Sequence, residues 1–325
     1  MLLLALLGCA QQAEYEKQYK WGFRNIQNEV IIDFQYDSVF PFSQGLAAVY
    51  NEGDGWGYID KTGALKIPMQ YDEARPFGEE GLARIRPRGD LEKKWREREV
   101  HYIYRSGDTV LSLKADRADD FYNGVAWVRK YIGTKRYRTG SNVPMYSWGL
   151  IDKDGNFLVP HIEDFKDERV IWMPGAWSEG LSVIRRDRAG YMNTAGEIVI
   201  PCQYEYAEAF SNGLAFVKSE NERWSVIDKK GRIRISELAG GLKFKPIGVG
   251  FKSFLAPVKM TRGKSNYLGY IDRKGKFAFK TKGMQLRRLS SFRQGLAHVA
   301  VQSEDKIGFL DRKGTWAIRP AFSEA

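Results

Sequence analysis

The string Trp56-Gly57-Tyr58-Ile59-Asp60-Lys61-Thr62-Gly63 returns along the chain as Trp148-Gly149-Leu150-Ile151-Asp152-Lys153-Asp154-Gly155 and as Leu268-Gly269-Tyr270-Ile271-Asp272-Arg273-Lys274-Gly275. It returns once more as Ile307-Gly308-Phe309-Leu310-Asp311-Arg312-Lys313-Gly314. Weaker copies run from His101 to Gly107, from Gly190 to Gly196 and from Ser225 to Gly231, and Trp21-Gly22 opens the first, where Asn28 stands in for the turn glycine. The closing residues fall at 28, 63, 107, 155, 196, 231, 275 and 314, a mean step of about 41 residues. Self-similarity at such a period argues against one central core. Each unit is a small supersecondary element that buries its apolar face on the next copy.

A second string fills the space between these copies. An aromatic residue leads to Gly-Leu and a small apolar run: Phe42 to Gly45-Leu46-Ala47-Ala48-Val49, Phe121 to Gly124-Val125-Ala126, Phe210 to Gly213-Leu214-Ala215 and Phe292 to Gly295-Leu296-Ala297. Trp177 precedes Gly180-Leu181, Phe77 precedes Gly81-Leu82, and Phe251 to Val258 is a degenerate copy in which Phe254 replaces the glycine. Together the two strings make about seven and a half units over residues 19–325.

The units read as strands. The apolar pairs Leu65/Ile67, Phe157/Val159, Ile198/Ile200, Ile233/Ile235, Phe277/Phe279 and Trp316/Ile318 are spaced by two, so both members are expected to face a core. Asp-x-x-Gly between strands predicts a tight hairpin, with the aspartate capping a type I turn and the glycine taking positive φ. Pro68, Pro160 and Pro201 are expected to end the second strand, because proline cannot donate to a ladder. The Gly-Leu strand should pair with the Trp-Gly strand, giving three or four short strands per unit. The fold expected is all-β, a tandem array of ~41-residue hairpin or meander repeats. An open β-solenoid is slightly favoured over a β-propeller-like ring, because the chain starts and ends on the same half-unit.

Composition agrees. At 43% hydrophobic residues the chain can bury enough apolar surface to offset ordering entropy, which excludes a disordered class. Thirty-three Gly and only 7 Met favour strands and tight turns. No run approaches the ~20 apolar residues of a membrane span.

These strings resemble the bacterial WG-repeat family, named for its Trp-Gly dipeptide. Trp21, Trp56 and Trp148 keep the tryptophan, and the resemblance covers nearly the whole chain from residue 19. It implies a bacterial, often exported protein of a family whose members usually have no assigned activity. Residues 1–9, Met1-Leu2-Leu3-Leu4-Ala5-Leu6-Leu7-Gly8-Cys9, look like the end of a secretory signal, and Leu6-Leu7-Gly8-Cys9 resembles a bacterial lipobox, although no Lys or Arg precedes the apolar run. That resemblance implies cleavage before Cys9 and lipidation of its thiol, which would anchor the protein on a membrane. Residues 10–18 are polar and would serve as a tether. Cys202 is then expected to be a small apolar strand residue.

Chemistry is sparse. Asp60, Asp152, Asp228, Asp272 and Asp311, with Asn193, recur in one turn, and capping accounts for all of them. His101, His161 and His298 lie in different units at different repeat positions, so they suggest no triad. Metal-ligand spacings and phosphate-binding glycine loops are absent from the sequence. The tryptophans are expected to pack between repeats rather than form a glycan-stacking ladder.

Charge says more. The chain is net +11, and the connections between each Gly-Leu strand and the next Trp-Gly strand should emerge on one edge. Those connections carry +9 of that charge, and residues 129–147 alone carry +5 with no acid. Arg129, Lys130, Tyr131, Lys135, Arg136, Tyr137 and Arg138, with Tyr146 nearby, form an aromatic-basic loop and the candidate binding site. The expectation is a non-catalytic, membrane-anchored repeat scaffold of the bacterial cell envelope, periplasmic or on the outer membrane, that binds a protein, an anionic polymer or a lipid. It needs no cofactor and no nucleic acid. An envelope carbohydrate-binding protein using exposed aromatics is the alternative.

Overall fold

Each Asp-x-x-Gly string closes a hairpin, as its chemistry requires. In the computed structural model of the chain the described residues are 20–94, 97–136, 138–161, 173–238, 241–248, 250–262, 265–279, 286–301 and 306–323. Asp60 Oδ1 accepts the amides of Thr62 and Ala64 at 2.8 and 3.1 Å, and Gly63 takes φ +87°. The same two bonds recur at Asp152, Asn193, Asp228, Asp272 and Asp311, and Asn25 makes them in the first hairpin. The repeated aspartates are turn caps.

The strands follow in order, with antiparallel pairing throughout. β1 (Trp21–Arg24) pairs with β2 (Val30–Tyr36). Next come β3 (Ser38–Val39), β4 (Leu46–Asn51), β5 (Gly55–Asp60), β6 (Leu65–Ala74), β7 (Ala83–Pro87), β8 (Glu99–Ile103) and β9 (Thr109–Lys114). These seven form one sheet because β6 is long enough to pair with β5 through Leu65–Tyr71 and with β7 through Tyr71–Ala74. Five four-stranded sheets follow. They are β10 (Arg117–Ala118), β11 (Val125–Arg136), β12 (Asn142–Asp152) and β13 (Phe157–Val159); β14 (Trp177–Ser178), β15 (Leu181–Arg185), β16 (Ala189–Asn193) and β17 (Ile198–Tyr204); and β18 (Tyr206–Ala207), β19 (Leu214–Lys218), β20 (Trp224–Asp228) and β21 (Ile233–Ile235). The last two are β22 (Lys243–Pro246), β23 (Leu255–Arg262), β24 (Ser265–Asp272) and β25 (Phe277–Phe279), then β26 (Leu286–Leu289), β27 (Leu296–Val301), β28 (Lys306–Asp311) and β29 (Trp316–Ser323). In every four-stranded unit the Gly-Leu strand pairs with the Trp-Gly strand. The described residues contain no α-helix, and no sheet closes into a barrel. Two compact units result, Met1–Val170 and Ile171–Ala325.

The apolar pairs divide. Ile67, Ile200 and Ile235 are buried, whereas Leu65, Phe157, Ile198 and Ile233 are exposed. A bulge separates the two members in each sheet: Tyr58 opposes Ile67 while its neighbour Ile59 opposes Leu65. One extra residue shifts the phase of the strand, so the first member turns to solvent in these four pairs, whereas Phe277 and Trp316 pack against the core and Ile318 is the exposed member of its pair. Pro68 and Pro201 lie inside β6 and β17 rather than ending them, and only Pro160 follows a strand end. Pro68 falls where two residues of β5, Trp56 and Tyr58, face Tyr71 and Ile67 across a register shift. The missing amide is tolerated at such a bulge.

The Trp-Gly glycine has a steric cause. A Cβ on Gly57 would lie 2.8 Å from the Ile67 carbonyl oxygen, and one on Gly190 2.6 Å from that of Ile200. Repeats stack through three recurring contacts. Ala47 and Val49 of β4 pack with Ile32 and Tyr36 on one face, and Leu46 and Ala48 pack with Ile67, Phe77 and Ile85 on the other. Tyr58, Tyr102, Tyr191 and Tyr270 each lay a ring on the next unit's Phe77, Phe121, Phe210 and Phe292 at 4.7–5.0 Å. Ser43, Ser178 and Ser211 each donate a hydroxyl to the carbonyl of the next unit's Phe77, Phe210 and Phe251, at 2.5–2.7 Å.

Candidate functional site

Residues 129–147, expected as a loop, continue the ladder. Strands β11 and β12 pair from Val125↔Asp152 out to Arg136↔Asn142, with a bulge between Tyr131 and Gly133. Tyr131, Ile132, Val143 and Tyr146 are aromatic or β-branched, which suits a pleated ribbon better than a coil. At 12 residues β11 runs six beyond β4, or about 20 Å. Only Arg129 and Val128 of β11 also pair with β10, and only Leu150 and Ile151 of β12 with β13. Past Lys130↔Ser147 the sheet is therefore a two-stranded arm.

The root of the arm is built from charge. Arg129 Nε and Nη2 donate to Asp116 Oδ2 at 2.9 and 2.5 Å. Its guanidinium lies 4.2 Å from the Tyr146 ring centroid and 5.7 Å from that of Trp148, and Arg117 approaches Trp148 at 5.7 Å. The Asp116 carbonyl accepts from Arg86 Nη2, whose Nη1 and Nε hold Asp90 Oδ2 at 2.9 Å and Glu73 Oε2 at 3.1 Å. Arg86, Asp90 and Asp116 are buried, and such charges persist only when paired. Arg129 is thus committed to the fold, at the base of the arm.

Beyond the root, Lys130, Arg136 and Arg138 are exposed and Lys135 is half-buried, with no carboxylate between residues 129 and 147. The Tyr131 and Tyr146 rings meet edge-on at 6.0 Å, and the Tyr131 hydroxyl lies 2.5 Å from Thr134 Oγ1. Tyr137 and Cys9 lie outside the described residues, as do residues 1–9 and the tether 10–18. A ribbon of this kind offers guanidinium and ammonium donors to phosphate, carboxylate or sulfate, and aromatic edges beside them.

Sequence reasoning grouped Arg129 with the exposed cations and missed Asp116 and Arg86. An acid holds the same place at Asp37, Asp72 and Glu205, five residues before Phe42, Phe77 and Phe210, and that recurrence is the signal in the sequence that marks Asp116. The tryptophans mostly pack: Trp148 is 7% exposed, Trp56 lies against Phe40 and Tyr50 at 5.3 and 5.4 Å, and Trp21 is open at 58%. His101 Nε2 sits 3.4 Å from Glu99. Cys202 is half-buried in β17, and burial pushes its thiol pKa up. Among the described residues no group of His, Cys, Asp and Glu is placed to hold a metal ion.

A family profile described as "WG containing repeat" matches residues 21–53, 56–89, 102–131, 148–166 and 190–224. No curated protein matches the sequence. Among solved structures, the chain is similar to the computationally designed Ika8 protein (12% identity, 87% of this chain and 86% of that one, TM-score 0.43). It is also similar to BamB from Moraxella catarrhalis (12%, 88% and 86%, TM-score 0.40) and to apo AztD from Citrobacter koseri (12%, 93% and 91%, TM-score 0.40). These neighbours are β-propeller-like proteins.

Proposed function

We propose, since this chain belongs to the WG-repeat family, that it is a non-catalytic scaffold of the bacterial cell envelope that holds an anionic partner on its β11–β12 arm. The observation that carries this reading is the acid-free arm, about twice the length of the β4–β5 hairpin and tipped by Lys135, Arg136 and Arg138. A solvated loop needs no buried anchor. This ribbon is rooted by Arg129 on Asp116 and stiffened by Tyr131 against Tyr146. A rigid basic ribbon loses little entropy on meeting a carboxylate- or phosphate-bearing surface, whether acidic protein face or envelope polymer. Lipidation of Cys9 would keep it at the membrane.

The test is an in vivo crosslink and pull-down after membrane fractionation. Wild type is compared with Cys9→Ala and with a Lys135→Glu, Arg136→Glu, Arg138→Glu variant. Loss of membrane sedimentation in the first and loss of one stoichiometric partner in the second are expected. Unchanged capture by the triple variant would remove the arm from the reading.

A further inference from the structure

The Gly-Leu turns and the Asp-x-x-Gly turns lie at the same end of each sheet, because the strands between them run antiparallel. In the first unit this end is neutral or acidic, with Glu79-Glu80 in one turn and Asp152-Lys153-Asp154 in another. In the last three repeats it is basic. The stretches Asp228–Arg232, Asp272–Lys276 and Asp311–Thr315 are net +2, +2 and +1, and Lys252 and Arg293 open the facing turns. Each of these aspartates has Oδ1 occupied by its own turn amides. Lys230, Lys252, Lys274, Lys276, Arg293 and Lys313 are all exposed.

The turns adjoin. A Cβ on Gly275 would stand 3.0 Å from Ile235 of the preceding repeat, and one on Gly213 3.6 Å from Arg273 of the following one. Leu255 and Tyr270 share a core with Phe292 and Leu310, which joins the last two repeats.

Phe254 stands within this face. The two-residue turns elsewhere place glycine at its position, at φ +86° in Gly45, +76° in Gly213 and +84° in Gly295. Phe254 takes φ +66° there, a conformation that a bulky side chain adopts only at a cost. The ring recovers little by packing, since it is 55% exposed, with the Arg273 guanidinium 6.0 Å from its centroid. Ile233, 63% exposed, follows the Asp228 turn. Folding alone gives no reason for a strained, open aromatic where glycine would serve, and strain of this kind collects at functional positions.

A soluble polyanion would use the cations and leave the ring idle. A lipid bilayer uses both: aromatic side chains settle at the headgroup level, and Lys and Arg gain from the negative potential of anionic lipid. We propose that the turn end of the last three repeats docks on an anionic bilayer surface, with Phe254 entering the headgroup layer. This surface uses neither Cys9 nor the β11–β12 arm, so it goes beyond the function proposed above.

The experiment is vesicle co-sedimentation of the full-length chain carrying Cys9→Ala and the triple arm reversal, so that neither acyl chain nor arm supplies binding. The vesicles are phosphatidylcholine alone or with about one third phosphatidylglycerol. Binding to the anionic vesicles only, weakening with salt, is expected. Lys252→Glu with Lys274→Glu and Lys313→Glu should abolish it. Phe254→Gly should weaken it roughly five- to tenfold while raising the melting temperature, and Phe254→Trp should restore it. A purely structural Phe254 would give the thermal gain with unchanged binding, which overturns the proposal. Equal binding to neutral vesicles, or retention on heparin without binding to anionic vesicles, overturns it as well.

Discussion

The Tyr58 ring lies 5.0 Å from that of Phe77 at 55°, and its hydroxyl donates to the Arg75 carbonyl at 2.8 Å. One side chain thereby fills the space between two repeats and satisfies a backbone acceptor in the second. Tyr102, Tyr191 and Tyr270 do the same with the carbonyls of Asp119, Glu208 and Ser290, at 2.6, 2.8 and 2.7 Å. In the first hairpin Phe23 keeps the ring contact with Phe42, at 4.7 Å, and has no hydroxyl.

Tyr102→Phe should therefore keep the packing and leave the Asp119 carbonyl short of a donor. The expected loss is about 1–2 kcal/mol in urea unfolding. Tyr102→Ala removes the ring as well and should cost about 3–5 kcal/mol. Equal losses in the two variants would show that the hydroxyl, not the ring, carries the joint.

The turn caps predict a chemical tolerance. Asn193 and Asn25 make the bonds that Asp272 makes, so Asp272→Asn should be nearly neutral. Asp272→Ala should cost about 1 kcal/mol, on the scale of a lost helix cap. Thermal melts of the two variants side by side separate these outcomes.

Acid should act late on these turns. The Thr62 hydroxyl and the Lys66 ammonium hold the Asp60 carboxyl well below its usual range, and the Asn156 side chain lowers that of Asp152. A carboxyl depressed in the folded state stabilises fully above its unfolded pKa and loses that contribution as pH falls through the folded value. The fall in stability from these turns should thus begin only below about pH 4. A melting temperature that drops between pH 6 and pH 5 in an Asp60→Asn comparison would contradict it.

Glu208 has the opposite sign. Burial pushes its carboxyl up to about 7, against a single acceptor bond to the Gly250 amide at 3.4 Å. Below the ordinary glutamate range both states hold the proton and there is no penalty. As pH rises towards 7 the folded state keeps a proton that the unfolded state has released, so stability declines through that window and levels off above it. Glu208→Gln should flatten this slope and raise the melting temperature at pH 8 with little change at pH 4.

Local chemistry made the repeats and turns readable, because Asp60 and Gly63 interact within four residues. The phase of Leu65 and Ile67 was not readable, since a bulge is a property of two strands and leaves no mark on one. The Tyr58 joint reaches 17 residues ahead to Arg75, beyond any pattern of turn or alternation. The arm showed its charge in sequence but not its ladder, and Arg129 looked like its neighbours until Asp116 was placed beside it. The basic turn face escaped a tally by edge, because acidic turns in the first unit offset basic ones in the second when the whole chain is summed.

Arg129 and Arg136 should consequently part company under mutation. Arg129 is the ion-pair partner of the buried Asp116 side chain, so Arg129→Ala leaves a desolvated carboxylate unpaired and should cost about 3 kcal/mol or more. Arg129→Lys keeps the charge but loses the planar fork that reaches Asp116 from two nitrogens and stacks on Tyr146, and should recover only part of that loss. Arg136→Ala, at the exposed end of the ladder, should unfold with wild type to within about 0.5 kcal/mol. Urea titrations followed by tryptophan fluorescence give the comparison directly. If Arg129→Ala unfolds like Arg136→Ala, the root of the arm is not held by charge, and the arm loses the rigidity on which its binding role depends.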